Sequence, residues 1–461
     1  MGKRYLLHYA IAHPEFRFPE LQSISELFDF NVGLPEEEEE RDPNRHFLIV
    51  ELEDEAHART IAKRCILIRA VYELWATATT YGELHQEMRL NQDLWKPFST
   101  ETFCFDVTAS NHKIPDARQK DIIEDFAYMA YTGDIRIKGA TNVLTYLEEY
   151  PRKNIVRSKS EGDRNFQRAY FGRLIEKGGC RELVYKFDVK QRAYYGNTTM
   201  EAEMSLLMAN QALAAPGKLI YDPFVGTGSM LYTAAHFGAM VLGSDIDGRQ
   251  MRGKRLTTPG IIQSASQYGV AHRILDCCTF DITRNPFRTG GILDAIVSDP
   301  PYGVRAGAKR LGRAKERPTQ VPPEGTEYTI SYPRMPYELS ELTIDLILLA
   351  RHLLRPGGRL VWFLPTVTEE YQDVDIPDCE GMELVANSEQ NFGKWGRRLI
   401  TMRKASSDDF PYPSFNAATR HAELGGKGTP SATSGHKDFR EKYFARFPST
   451  KKIVKEGKPL G

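Results

Sequence analysis

The spacing of apolar residues along the chain changes period repeatedly, and each change predicts an element. Residues 5–9 and 47–52 are apolar runs of strand length. Between them, Leu21, Ile24, Leu27 and Phe28 share one face of a helix over 19–28. Ala56, Ile61 and Ala62 predict a second helix, and the branched and aromatic run 66–75 a third strand. This reads as a small α+β unit with a boundary near 80–98. A second unit opens on the alternating strand 102–107. It continues with a helix over 115–129, with proline in its first turn and Ile122, Ile123 and Phe126 as its stripe, and an extended segment at 142–149. Two β-rich segments, 168–174 and 181–189, flank the turn signal Gly178-Gly179. Thr198 and Glu201 stand at capping-box spacing before a helix that runs to about Ala215, where Pro216-Gly217 stops it. Strand-length runs at 218–221, 240–244, 273–280, 292–298 and 359–364 then alternate with helical runs at 229–237, 248–256 and 339–354. That alternation predicts a parallel sheet with helices on both faces. Segments 382–386 and 398–402 predict a closing antiparallel pair. From Ala405 to Gly435 Ser, Gly, Thr and Pro dominate, predicting a flexible linker before a basic, aromatic tail.

Candidate chemistry gathers where the predicted parallel strands end. The run 292–298 stops at Asp299-Pro300-Pro301-Tyr302. Two prolines fix φ and remove donors, so this is a stiff loop at a strand's C-terminal end, where open α/β sheets bind ligands. Asp222-Pro-Phe224-Val-Gly226-Thr-Gly228 lies between a strand and a helix. Its glycines permit close backbone approach, but it is neither the dinucleotide G-x-G-x-x-G fingerprint nor a P-loop. Asp245, ending the next strand, suits ribose hydroxyls. Asp281 follows the strand after that; it is equally readable as a polar site residue or as a helix cap.

Charge changes this picture locally. Lys+Arg and Asp+Glu are equal at 61 each, so the net charge carries no nucleic-acid signal. Basic residues do crowd 152–173, where Arg157 and Lys159 are the expected phosphate contacts, and 305–317, directly after Tyr302. A solvated loop surface is the alternative for each. Six cysteines show no CxxC spacing, which predicts neither a disulfide framework nor a zinc site, and no metal ligands are assigned. No apolar run reaches membrane-spanning length and the first residues lack a signal-peptide core, so a cytoplasmic location and no membrane partner are expected.

The ordered set Asp222-Pro-Phe-x-Gly-Thr-Gly, Asp245, Asp281 and Asp299-Pro-Pro-Tyr resembles the class I S-adenosylmethionine-dependent amino-methyltransferases. With Arg192-Ala-Tyr-Tyr-Gly-Asn-Thr-Thr-Met200 and the upstream units, the chain looks like the catalytic subunits of eukaryotic tRNA guanosine-10 N2-methyltransferases. The resemblance covers roughly residues 1–404. It implies an α/β fold: a Rossmann-like class I methyltransferase domain at 191–404, preceded by α+β ferredoxin-like (1–85) and THUMP RNA-binding (86–190) domains. The tail 405–461, which it leaves unmatched, is expected to be flexible and basic. It further implies that Asp222, Phe224, Gly226 and Gly228 line the methionine and ribose end of S-adenosylmethionine, Asp245 the ribose and Asp281 the adenine amine. Asp299 and the Pro300 carbonyl would hold the target amine, and Tyr302 would stack on the base. The implied partners are tRNA and a small zinc-binding activator subunit in a heterodimer. An rRNA guanine-N2 or adenine-N6 substrate, and a non-catalytic RNA-binding scaffold, stand as alternatives.

Overall fold

The computed structural model describes residues 2–151, 166–253, 260–302, 308–312, 334–367, 376–393 and 395–425. These described residues fall into two compact units, divided between Tyr185 and Lys186.

The first unit is built on one six-stranded sheet in the order β2-β1-β3-β6-β5-β4, from β1 (Lys3–Tyr9), β2 (Phe47–Leu52), β3 (Ile68–Ala78), β4 (Phe103–Ser110), β5 (Asn142–Glu149) and β6 (Arg168–Lys177). β4 runs parallel to β5; the other pairs are antiparallel. Helices α1 (Arg17–Leu27) and α2 (Glu55–Arg64) fall where the periodicity predicts, as does α5 (Asp116–Asp125). Asp54 caps α2 through the Ala56 N–H. The aromatic core centres on Trp75, Phe126 and Phe171, with the last two rings 4.2 Å apart. Gly172 lets β6 cross β3 closely, since a Cβ there would lie 2.2 Å from the Glu73 carbonyl oxygen.

Three expectations change here. The strip 80–98, expected as a junction, is helical, with α3 (Tyr81–Leu90) and α4 (Gln92–Trp95), and the strands on either side of it share one sheet. The segment after Gly178-Gly179 is helix α6 (Cys180–Lys186), not a strand. β6 is already bonded to β3 and β5 along both edges, so no edge remains for a hairpin partner. Arg173, counted among the basic residues, turns inward to pair with Glu73 and Glu55 at 2.9 and 2.6 Å, while Arg168 pairs with Glu40. Arg157 and Lys159 lie outside the described residues.

The second unit carries a seven-stranded sheet in the order β14-β15-β13-β10-β7-β8-β9. Its strands are β7 (Leu219–Asp222), β8 (Met240–Asp245), β9 (Ile274–Thr279), β10 (Leu293–Ser298), β13 (Leu354–Thr366), β14 (Met382–Asn391) and β15 (Gly396–Lys404). The first five are parallel; β14 and β15 form the expected antiparallel pair. A two-stranded ribbon, β11 (Lys309–Leu311) and β12 (Arg334–Pro336), stands apart from this sheet. The helices are α7 (Ala202–Gln211), α8 (Ser229–His236), α9 (Gly248–Arg252), α10 (Gly260–Gln267), α11 (Leu339–Leu353) and α12 (Arg420–Leu424). Apolar α11 packs into a core cluster with Trp362, Leu364 and Ile400.

Two more expectations are corrected. Thr198 and Glu201 form no capping box: Glu201 itself is the N-cap of α7 and makes no side-chain cap bond. The neighbouring Thr199 hydroxyl accepts from the Gly196 N–H (2.8 Å) and meets the Thr227 hydroxyl (2.9 Å), which pins the 196–199 loop to the glycine turn. The stretch 405–425, expected as linker, folds back onto this unit. Arg420 in α12 is buried against Asp345 of α11, and the Arg351 guanidinium lies 4.3 Å from the Phe410 ring centre. Residues 426–461 lie outside the described residues.

Candidate active site

Parallel pairing brings four acids to one edge of the sheet. Asp222 and Asp245 end β7 and β8, Asp281 follows β9, and Asp299 follows β10. β7 lies between β8 and β10, the point where connections leave in opposite directions and a crevice opens. A cleft of about 800 Å³ lies there, and Phe224, Gly226, Asp245, Asp281, Asp299, Pro300 and Tyr302 line it.

Asp222 and Gly228 stand behind that lining. The Asp222 carboxylate is fully buried, with Oδ1 accepting from the Phe224 N–H (3.0 Å) and Oδ2 without a partner among the described residues. Burial pushes it well above the usual carboxylate range. Gly228 is the N-cap of α8 at φ 87°, and a Cβ there would lie 2.8 Å from the Tyr232 hydroxyl oxygen. Glycine is required there by backbone and packing. Asp245 Oδ1 accepts from the Asp247 N–H (2.7 Å) and Oδ2 from the Gly226 N–H (3.0 Å), so the strand end and the glycine turn are tied together. A carboxylate offers about four acceptor positions, and two remain for a vicinal diol. Asp281 caps a 3-10 turn through the Thr283 N–H and hydroxyl, and its Oδ2 accepts from the Leu311 N–H (2.6 Å), anchoring β11. The cap reading of Asp281 holds, and the residue also lines the cleft with one acceptor position left over. The unpartnered Asp222 oxygen, the diol-ready Asp245 and the remaining Asp281 acceptor fit the ammonium, ribose and adenine N–H donors of S-adenosylmethionine.

At the other end of the cleft, the Tyr302 hydroxyl donates to Asp299 Oδ1. Desolvation raises the Asp299 pKa, while the Arg397 charge and the Tyr302 bond pull it back. Sequence reasoning missed the residues that surround this pair. Arg397, from β15, donates to Gln390 (2.7 Å) and to Glu201 (3.0 Å), and its guanidinium lies 4.1 Å from the Phe363 ring centre. Phe392 and Trp395 bring two rings, 4.6 Å apart, to the β14–β15 turn on the cleft wall. Two aromatics flanking Gly393 in a polar stretch were a usable signal; one arginine among many basic residues was not. Of the basic loop after Tyr302, Lys309 lines the cleft and Arg310 pairs with Glu341. Arg305 and 313–317 lie outside the described residues.

Among the described residues, no group of His, Cys, Asp or Glu could hold a metal, and no helix is long and apolar enough to cross a membrane.

Residues 3–181 match the Tmrp11 THUMP N-terminal domain family, and 190–314 the RMKL-like methyltransferase domain family. The chain is 37% identical to the tRNA (guanine(10)-N(2))-methyltransferase of Schizosaccharomyces pombe over 96% of both chains. It is 36% identical to that of Saccharomyces cerevisiae over 96% of this chain and 100% of the other. It is 33% identical to the Homo sapiens tRNA (guanine(10)-N(2))-methyltransferase TRMT11 over 99% of this chain and 97% of that one. A THUMP unit followed by a class I methyltransferase sheet, matched end to end at this identity, places the chain in the family of THUMP-containing tRNA (guanine(10)-N(2))-methyltransferases.

Proposed function

We propose that this protein transfers the methyl group of S-adenosylmethionine to the exocyclic N2 amine of guanosine 10 in tRNA. The observation that carries the chemistry is the placement of Asp299-Pro-Pro-Tyr302 in the same cleft as Asp245, at the strand-order switch point. The substrate follows from full-length kinship with the tRNA (guanine(10)-N(2))-methyltransferases.

When bound, S-adenosylmethionine supplies an electrophilic methyl on its sulfonium. Asp245 would hold the ribose hydroxyls, the Asp222–Gly228 turn would shape the methionine end with Phe224 and the Gly226 backbone, and Asp281 would accept from the adenine amine. The guanine N2 lone pair is conjugated into the ring and nucleophilically weak. With Tyr302 on Asp299 Oδ1, Oδ2 and the Pro300 carbonyl are the two acceptors for the N2 hydrogens. Gripping both hydrogens draws the nitrogen toward tetrahedral geometry and aims its lone pair, so positioning and fixed acceptors supply the rate. Tyr302, Phe392 and Trp395 offer ring faces to a base taken out of its stack. Replacing Asp245 with Ala removes a charged acceptor worth about 1.5–3 kcal/mol. Cofactor binding is expected to weaken by roughly 10- to 100-fold by calorimetry, and unchanged affinity would free Asp245 of the role.

The reading extends to parts supported by resemblance alone: a heterodimer with a small zinc-binding activator and a cytoplasmic location. The ferredoxin-like character of 1–85 rests on the resemblance; the succession there is β1-α1-β2-α2-β3. The test is the full chain, with and without the activator, given labelled cofactor and separate tRNA and rRNA pools, then nucleoside hydrolysis. N2-methylguanosine from tRNA at position 10 is expected; N6-methyladenosine as the product would end the proposal.

A further inference from the structure

Gripping an amine does not choose a base, because adenine, cytosine and guanine all carry one. The choice must come from groups that meet the neighbouring ring positions. Glu201 and Arg397 sit beside Asp299 and Tyr302 in the cleft wall and come from distant parts of the chain, the loop before α7 and strand β15. Both protein bonds to Glu201, from Gln390 and Arg397, end on Oε1, and its side chain is 53% exposed although Arg397 is only 12% exposed. Its other oxygen takes no bond among the described residues. Arg397 has five N–H donors; Gln390 and Glu201 engage two of them, and the Tyr302 hydroxyl is a further hydrogen-bond partner. The remaining donors lie on a guanidinium whose charge also bears on Tyr302 and Asp299. A structural ion pair would be expected to satisfy itself. This one is held rigid from behind by Gln390 and Phe363 while acceptor and donor capacity is left over at the site of the target amine.

We propose that Arg397 and Glu201 are the specificity-determining residues that read the remaining Watson–Crick edge of the target guanine. Arg397 donates to O6 and Glu201 accepts the N1–H, while Asp299 and Pro300 hold N2. The inference rests on the guanine-N2 reading above. Guanine alone presents acceptor, donor and amine in that order. A base with an amino group at C6 and an unprotonated N1 would leave both Arg397 and Glu201 facing groups of the wrong kind. Sites built on such bonds reject mismatched substrates far more strongly than apolar pockets do.

The test compares tRNA carrying guanosine at position 10 with the same tRNA carrying 2,6-diaminopurine riboside there. That base keeps the 2-amino group, replaces O6 with an amine and offers a lone pair at N1. The full chain with its activator is expected to prefer guanine by about 10²-fold or more in kcat/KM. Glu201→Gln and Arg397→Gln each place an amide that both donates and accepts, and are expected to shrink that preference at least about tenfold, the size of one mismatched bond. Arg397→Lys keeps the charge but loses the planar fork, and is expected to lower the rate on guanine more than on diaminopurine. Cofactor binding by calorimetry confirms that each variant is folded. Equal wild-type rates on both substrates would overturn the inference, as would variants that lose the same factor on each. Failure of the wild type to make N2-methylguanosine on ordinary tRNA would instead overturn the guanine-N2 reading, and this inference with it.

Discussion

Asp299→Ala is expected to cut turnover by about 10²-fold or more, the size of loss when a preorganised polar group is removed from a site, while cofactor affinity stays close to wild type. The carboxylate belongs to the amine end of the cleft, and the ribose end is organised by Asp245 and the Gly226 N–H. Desolvation at the cleft wall raises the Asp299 pKa, with Arg397 and the Tyr302 hydroxyl opposing the rise. Two pH effects follow. The acceptor is the ionised form, so the acid limb of the rate profile is expected above the ordinary carboxylate range, and Asp299→Asn removes that limb with the activity. Stability moves the other way. A carboxyl whose folded pKa exceeds its unfolded value binds more protons when folded. Its favourable contribution is full below the unfolded pKa and is lost as pH rises through the folded one. At neutral pH the native site is therefore strained by this charge, and Asp299→Asn is expected to raise or preserve the melting temperature while abolishing transfer. Full activity in Asp299→Ala, or a melting temperature that falls with it, would place the residue in the fold and not in the reaction.

The strands that carry this site were legible because a parallel strand buried on both faces reads as a continuous apolar run. Leu293–Ser298 is nearly invisible to solvent, and its proline-stiffened exit announced the loop that follows. The glycine turn was equally plain, yet its two glycines meet different constraints: Gly226 donates to Asp245, whereas Gly228 sits at positive φ against Tyr232. What the pattern could not show was pairing across long separations. Arg397 reaches Glu201 across 196 positions, and Arg173 reaches Glu73 across 100. No local period distinguishes either arginine from a solvated one. Strand order was hidden for the same reason. The segment 181–189 has β-like composition, but the edge it would need is taken by β3 and β5, which meet β6 from opposite sides. Composition misled most after Lys404, where loop-forming residues are compatible with a tether as well as with a linker. One buried ion pair makes 405–425 a tether.

That ion pair gives the second large effect. Asp345 on α11 is fully buried; Arg420 meets it through Nε (2.6 Å) and Nη2 (3.0 Å), and reaches Glu341 through Nη1 (3.0 Å). The Tyr337 hydroxyl donates to the same Asp345 carboxylate, and Tyr337 lines the cofactor cleft. Arg420→Ala leaves a buried charge facing one phenol, and breaking such a pair from one side costs about 3–5 kcal/mol. Urea denaturation of the methyltransferase unit is expected to show a loss of that order, and the loosened Tyr337 wall to weaken cofactor binding. Burial already raises the Asp345 pKa against the pull of Arg420 and Tyr337. Without Arg420 it rises further, so the variant's deficit is expected to be largest at neutral pH and to shrink in acid as the carboxyl protonates in the folded state. Arg420→Met combined with Asp345→Asn removes both charges, keeps an acceptor for Tyr337, and is expected to recover most of the loss. If Arg420→Ala unfolds at the wild-type urea concentration, the 405–425 segment is a linker after all, and the cleft wall stands without it.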